Sequence, residues 1–228
     1  AAFSTRGFLA TRTDPVILNA AGKPVWNLAA YAFVTGPAPD TVNPSLWRHM
    51  THLKHHGLYQ VTPNVWQVRG FDLSNMTIIR GQTGWIVIDP LTSVETAQAA
   101  MVLVNATLGQ RPVSAVIYSH SHADHFGGVR GVIDAGEATA GRVAIIAPEG
   151  FMEEATSENV MAGGAMLRRA AYQFGTGMTP GATGQMGSGI GTAVSGGTLS
   201  LIAPNATIAA TGETRVVDGV ALEFQIVS

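Results

Sequence analysis

Four side chains with metal-ligand chemistry fall within the run Ser119-His120-Ser121-His122-Ala123-Asp124-His125-Phe126-Gly127-Gly128. Imidazole nitrogen and carboxylate oxygen suit a borderline-soft divalent ion. In extended backbone, side chains two apart share a face, so His120 and His122 point the same way and Asp124 continues the alternation. His125 comes from the turn where the chain enters a helix, and Gly127 and Gly128 permit a close backbone turn beneath the cluster. Two ligand sets follow: His120 with His122 for one ion, Asp124 with His125 for a second. Ions about 3.5–4 Å apart clamp an oxyanion and bring the pKa of bound water from 15.7 to about 7, which makes a nucleophile available at neutral pH. That chemistry marks Asp124 as a catalytic residue as well as a ligand.

The elements that must hold this motif are legible around it. The run Ala115-Val116-Ile117-Tyr118 ends at the motif and reads as a buried strand, as do Trp85-Ile86-Val87-Ile88-Asp89 and Val143-Ala144-Ile145-Ile146-Ala147. Gly57 to Val68 and Met76 to Arg80 read as further strands, with turn chemistry at Gly81-Gln82-Thr83-Gly84. Thr92 is placed to cap a helix through about Leu108, with Glu95 three residues on completing a capping box. Helical patterns are expected over 45–56, 127–135 and 151–174. Residues 175–197 carry so many glycines that they read as a long loop, a mobile arm or lid. Strand patterns return at 198–202, 207–210 and 220–227, with a hairpin signal at Asp218-Gly219. The fold class is therefore α/β, a mixed sheet covered by helices. Residues 1–56 form an arm and helix wrapping the domain, and 57–228 form the catalytic domain.

Composition narrows the function. The charge is -2 from 13 basic and 15 acidic residues, with no basic cluster able to neutralise phosphates, so a nucleic-acid partner is excluded. The absence of cysteine removes disulfides, thiolate metal sites and a Cys nucleophile. No apolar run reaches the ~18 residues of a membrane span. The start, Ala1 to Arg6, lacks a basic region followed by an apolar core, so an exported form would have lost its signal peptide already.

Other residues compete for attention. His49, His52, His55 and His56 have helix-like spacing but no carboxylate nearby, and a solvated helix face accounts for them. Arg168, Arg169 and Tyr172 could meet an anionic group, though an ordinary amphipathic helix explains them as well. Asp89 reads either as the start of a turn with Pro90 or as an acceptor that orients a ligand.

Beyond the motif, the chain resembles the alkylsulfatase branch of the metallo-β-lactamase superfamily. The likeness lies in Val42-Asn43-Pro44-Ser45-Leu46-Trp47-Arg48, Val68-Arg69-Gly70-Phe71-Asp72-Leu73-Ser74-Asn75-Met76-Thr77, Gly84 to Thr92, Val116 to Val129, Ser157-Glu158-Asn159-Val160, Arg168-Arg169-Ala170-Ala171-Tyr172 and Leu201-Ile202-Ala203-Pro204. The resemblance implies an αββα sandwich, of which this is the N-terminal part, and hydrolysis of alkyl sulfate esters such as dodecyl sulfate to an alcohol and inorganic sulfate. It implies two Zn2+, held by His120 and His122 and by Asp124 and His125. Two glutamates and a further histidine are expected beyond Ser228 to complete the site. It also implies a homodimer, a periplasmic or secreted location, and Asp89 in the supporting role. Two alternatives stay open: another two-metal hydrolase of the superfamily (thioesterase, phosphodiesterase or lactamase), or a metal-binding fragment without activity.

Overall fold

Strands that are apolar on every residue need cover on both faces, and the three strands around the motif have it. The computed structural model describes residues 2–227. Its strands are β1 (Phe8–Ala10), β2 (Val16–Leu18), β3 (Pro24–Asn27), β4 (Gly57–Thr62), β5 (Val65–Arg69), β6 (Met76–Arg80), β7 (Trp85–Ile88), β8 (Val113–Ile117), β9 (Ala144–Pro148), β10 (Ala206–Ile208), β11 (Glu213–Val217) and β12 (Val220–Phe224). Its helices are α1 (Ala2–Thr5), α2 (Pro44–Leu53), α3 (Val94–Leu108), α4 (Ala135–Thr139), α5 (Phe151–Thr156) and α6 (Gly163–Phe174).

One eight-stranded sheet runs β1-β4-β5-β6-β7-β8-β9-β10. It is antiparallel from β1 to β7 and parallel from β7 to β10. Trp85 and Val87 of β7 face α3, packing with Ala97, Ala100, Met101 and Val104. Ile86, Ala115, Ile117 and Ile146 face the other way, against Val217, Leu222 and Phe224 of the β11–β12 hairpin. Val116 and Ile145 join Tyr118, Phe126 and Phe151 in a third cluster beside the motif. Ile86, Val87, Val116 and Ile145 are fully buried, and each such side chain contributes about 1.5–3 kcal/mol through burial. The mixed sheet with helix on one face and β11–β12 on the other bears out the α/β expectation. No helix among the described residues is long and apolar enough to cross a membrane.

Several boundaries differ from the sequence expectation. The single strand expected over 57–68 is a hairpin, because Pro63-Asn64 turns the chain and Asn64 takes a left-handed φ of 67°. Helix α3 is capped by Ser93, whose side chain accepts from Thr96 N–H. Thr92 instead donates to Asp72 (2.9 Å), and Glu95 takes the N–H and hydroxyl of Thr198 (both 2.8 Å) rather than closing a capping box. No long helix fills 127–135. A short 3-10 turn at Val129–Gly131 stands there, preceded by another at Ala123–His125 and followed by α4. Helix 151–174 is divided by a π turn at Ser157–Met161, just before Gly163-Gly164. Residues 198–202 form no strand, and the arm 1–56 supplies an edge strand, β1, to the main sheet.

The glycine-rich segment is not a free arm. Gln185, Met186, Thr192 and Ser195 are buried. The Gln185 side chain donates to Phe174 and Thr192 carbonyls (3.2 and 3.1 Å) and accepts from the Tyr31 hydroxyl. Burial pushes Tyr31 up to about 12, against the opposing pull of that hydrogen bond. Asp72, 2% exposed, anchors the far end. It accepts from Thr92 N–H (3.2 Å) and hydroxyl (2.9 Å), Thr96 hydroxyl (3.0 Å), and Ser195 N–H (3.0 Å) and hydroxyl (2.6 Å). Hydrogen bonds to an ionised group contribute about 1.5–3 kcal/mol each, enough to fix a segment that has no ladder of its own.

The β11–β12 hairpin is fastened at its turn. Asp218, in left-handed backbone (φ 43°), accepts from Gly84 N–H (2.8 Å) and from the Thr83 N–H (3.0 Å) and hydroxyl (2.8 Å). Burial opposes ionisation, but the Gly84 and Thr83 hydrogen bonds outweigh it and hold the carboxyl below its ordinary value. A carboxyl held low stabilises the fold above its ordinary pKa of 3.8, and the contribution disappears as pH falls through the lower native value. Denaturant titrations of the wild type and Asp218→Asn should therefore differ at pH 7 and converge below about pH 4. Asparagine tolerates the left-handed backbone, so the comparison isolates the charge. A gap that stays constant across this range would contradict the assignment.

Candidate functional site

Parallel strands β7, β8 and β9 end at one edge of the sheet, where α/β proteins place ligands. The motif leaves β8 at that edge. Ile117 is the last ladder residue, and Tyr118 is pinned by its hydroxyl to Ile202 O (3.1 Å). The chain then runs extended through His122 (φ -68°, ψ 138°) into the 3-10 turn Ala123–His125. As the alternation requires, the His120 and His122 rings meet edge to face with centroids 4.6 Å apart. The turn brings His125 to 4.1 Å from His120 on the same measure. Asp124 Oδ2 lies 3.2 Å from His125 Nε2. All four motif side chains thus meet in one small volume.

The backbone beneath them is tied from several directions. Ser74 donates to Asp124 O, Gly128 N–H donates to Leu91 O (2.9 Å), and Ser200 N–H donates to Gly127 O (2.7 Å). Asn159, from the π turn, donates to Ser121 O (3.2 Å).

Asp89 sits where β7 ends, in left-handed backbone (φ 56°). Its Oδ1 accepts from Ser119 N–H (2.8 Å), and its Oδ2 accepts from the Ser119 hydroxyl (2.7 Å) and pairs with His125 Nδ1 (2.8 Å). Both readings of Asp89 hold in the geometry: Leu91 N–H donates to Asp89 O (2.8 Å) across Pro90 in a turn, and the carboxylate orients Ser119 and His125. Burial disfavours a charged His125, but hydrogen bonds to Asp124 and Asp89 outweigh it and push its pKa up to about 9. Asp124 is held below the ordinary carboxyl range despite its own burial, chiefly by the His125 hydrogen bond. His120 is lowered by burial, then by charge on His125 and His122.

Other candidates stand apart. His49 Nε2 pairs with Gly189 O (2.8 Å), and His56 Nδ1 pairs with Thr11 Oγ1 (2.8 Å). His52 and His55 join neither contact, so the four histidines share no focus. Arg168, Arg169 and Tyr172 lie on α6, which buries none of its residues, and Tyr172 is 94% exposed. Sequence reasoning gave no role to Ser74, Ser119, Glu158 or Asn159. Glu158 Oε1 lies 3.1 Å from His122 Nε2. Ser119 abuts the motif, and its neighbour Asp89 could have flagged it. Asn159 is 38 residues from its partner, and only the return of the chain after β9 brings it back. Among the described residues, no three His, Asp or Glu side chains are drawn tight enough to enclose an ion as they stand.

Residues 69–218 match the Metallo-beta-lactamase superfamily, well over half of the chain. The chain belongs to that superfamily. Within it, the chain is 49% identical over 221 residues to a linear primary-alkylsulfatase of Pseudomonas sp., covering 96% of this chain and 33% of that protein. It is 46% identical over 224 residues to the alkyl/aryl-sulfatase BDS1 of Saccharomyces cerevisiae, covering 98% of this chain and 35% of that protein. The solved structure of the stereoselective inverting sec-alkylsulfatase Pisa1 from Pseudomonas sp. superposes with a TM-score of 0.93 at 48% identity, over 97% of this chain and 35% of that one. The chain therefore spans about a third of the length of these relatives.

The turn beneath the motif depends on Gly128. A Cβ there would overlap the carbonyl oxygens of Pro90 and Ser93 and the Ala97 methyl. Gly128→Ala should cost about 1–3 kcal/mol, the usual penalty for forced overpacking, read as a lowered denaturation midpoint. A midpoint equal to wild type would show that the turn yields freely.

Proposed function

We propose that the motif holds two zinc ions and that the full-length protein hydrolyses alkyl sulfate esters to an alcohol and inorganic sulfate. The observation that carries this reading is the meeting of His120, His122, Asp124 and His125 at the carboxyl edge of β8. The match to alkylsulfatases over nearly the whole chain supports an alkyl sulfate as the substrate class. The donor set fits zinc, which takes imidazole nitrogen and carboxylate oxygen readily. The structure supports the fit at His125. Its Nδ1 is taken by Asp89, so Nε2, which pairs with Asp124 Oδ2 (3.2 Å), is the nitrogen left to meet an ion beside that carboxylate. His120 and His122 would hold one ion, and Asp124 and His125 the other. The family resemblance calls for two glutamates and a further histidine to complete the set.

When bound, the ion pair supplies positive charge that attracts sulfate oxygens and raises the acidity of water. The chain's own residues fix the donors. Asp89 holds a proton on His125 Nδ1, so Nε2 is the nitrogen that would give up its proton to an ion. Ser119 donates to Asp89 and accepts from His120 Nδ1–H (2.9 Å), which frees His120 Nε2 in the same way. Asp124 contributes the negative charge that offsets part of the cationic charge, the basis of its catalytic role.

The similar sec-alkylsulfatase is described as inverting. Inversion at a secondary carbon requires water to attack carbon and the C–O bond to break, with sulfate as leaving group. We extend this outcome to the present protein.

Full-length protein incubated with dodecyl sulfate and with a secondary alkyl sulfate should release inorganic sulfate from at least one. In isotopically labelled water the label should enter the alcohol. His120→Ala and Asp124→Ala should lower kcat/KM by about a thousandfold, the scale of several kcal/mol of lost charge stabilisation. Near-normal turnover by either variant would overturn the ligand reading. Label in the sulfate would overturn attack at carbon.

A further inference from the structure

Each imidazole has two nitrogens, and whichever carries a proton cannot bind an ion. In this cluster every histidine has a nitrogen held by a neighbouring side chain that is not itself a proposed ligand. For His125 and His120 it is Nδ1, held by Asp89 (2.8 Å) and by Ser119 Oγ (2.9 Å). For His122 it is the opposite atom: Nε2 lies 3.1 Å from Glu158 Oε1. The geometry points to Glu158 as a positioning residue that fixes His122 as the Nε2–H tautomer and leaves Nδ1 as its metal donor. This rests on the proposed ligand role of His122.

Glu158 belongs to the π turn Ser157–Met161, an insertion of the kind that recurs at functional sites. The wider turn places two consecutive side chains on the motif. Asn159 Nδ2 donates both to Ala155 O in its own helix (2.8 Å) and to Ser121 O (3.2 Å), one residue before His122. The π turn therefore grips the motif twice, through backbone at Ser121 and through the ring at His122. Had the ring been left free on its extended segment, both nitrogens would compete for the proton and the ring could rotate away from its partners. The pair is partly exposed, with the His122 side chain 57% accessible. Its worth lies in orientation rather than in fold stability, in keeping with carboxylates that support metal-binding histidines elsewhere.

The test is zinc affinity of the full-length protein, measured by competition with a chelator, for wild type, Glu158→Ala, Glu158→Gln and His122→Ala. Glu158→Ala should bind the zinc assigned to His120 and His122 about 10–100-fold less tightly, with an unchanged melting temperature for the metal-free form. Glu158→Gln keeps an oxygen acceptor for Nε2–H and should recover affinity to within a few-fold of wild type. Wild-type affinity in Glu158→Ala, with His122→Ala weakened, would overturn the positioning role alone. So would a Gln variant as weak as the Ala variant. Wild-type affinity in His122→Ala would overturn the ligand reading and this inference with it.

Discussion

Where β7 ends, the Asp89 carboxylate reaches across to the end of β8 and takes the backbone and hydroxyl of Ser119 together with the His125 ring. Everything at the site depends on that junction. Left-handed backbone costs a non-glycine residue about 1–2 kcal/mol, while each hydrogen bond to an ionised group returns about 1.5–3 kcal/mol. The bonds win, so the strained conformation persists and the carboxylate points inward. One group thereby sets the spacing of two parallel strand ends and the rotation of two imidazoles, His125 directly and His120 through Ser119.

The rest of the chain supports that edge from outside. Asp72 gathers the β5–β6 loop, the start of α3 and the glycine-rich segment through buried hydroxyls and N–H groups, and the same loop sends Ser74 to Asp124 O. Ser200 closes over Gly127. The close approach at Gly127 and Gly128 is what lets these layers meet, since a methyl at either position would collide with backbone carbonyls. Rigidity of this kind suits a site whose proposed ligands must be held in one arrangement before an ion arrives.

Much of this was legible in the sequence because it is periodic or local. Buried strands β7, β8 and β9 announced themselves as unbroken apolar runs, and the ligand spacing within 120–125 followed from the two-residue alternation. Less legible were features decided by distant partners. Ser93 displaced Thr92 as the cap of α3 because Asp72 claimed the Thr92 hydroxyl, and Glu95 left its box for Thr198. Glycine content alone suggested mobility over 175–197, whereas buried Gln185 and Ser195 hold that segment down. Glu158 and Asn159 carry no local signal of a role, since nothing in local periodicity announces a π turn or the residue it faces.

The central claim, that His120, His122, Asp124 and His125 are zinc ligands held by neighbouring carboxylates, is tested most directly by anomalous scattering at the zinc edge from crystals of the full-length protein grown with zinc. Two peaks are expected, one at about 2.0–2.1 Å from nitrogens of His120 and His122, the other bonded to Asp124 and His125. Donation should come from Nε2 of His120 and His125 and from Nδ1 of His122. Zinc found at the 49–56 histidines, or nowhere near the motif, would contradict it.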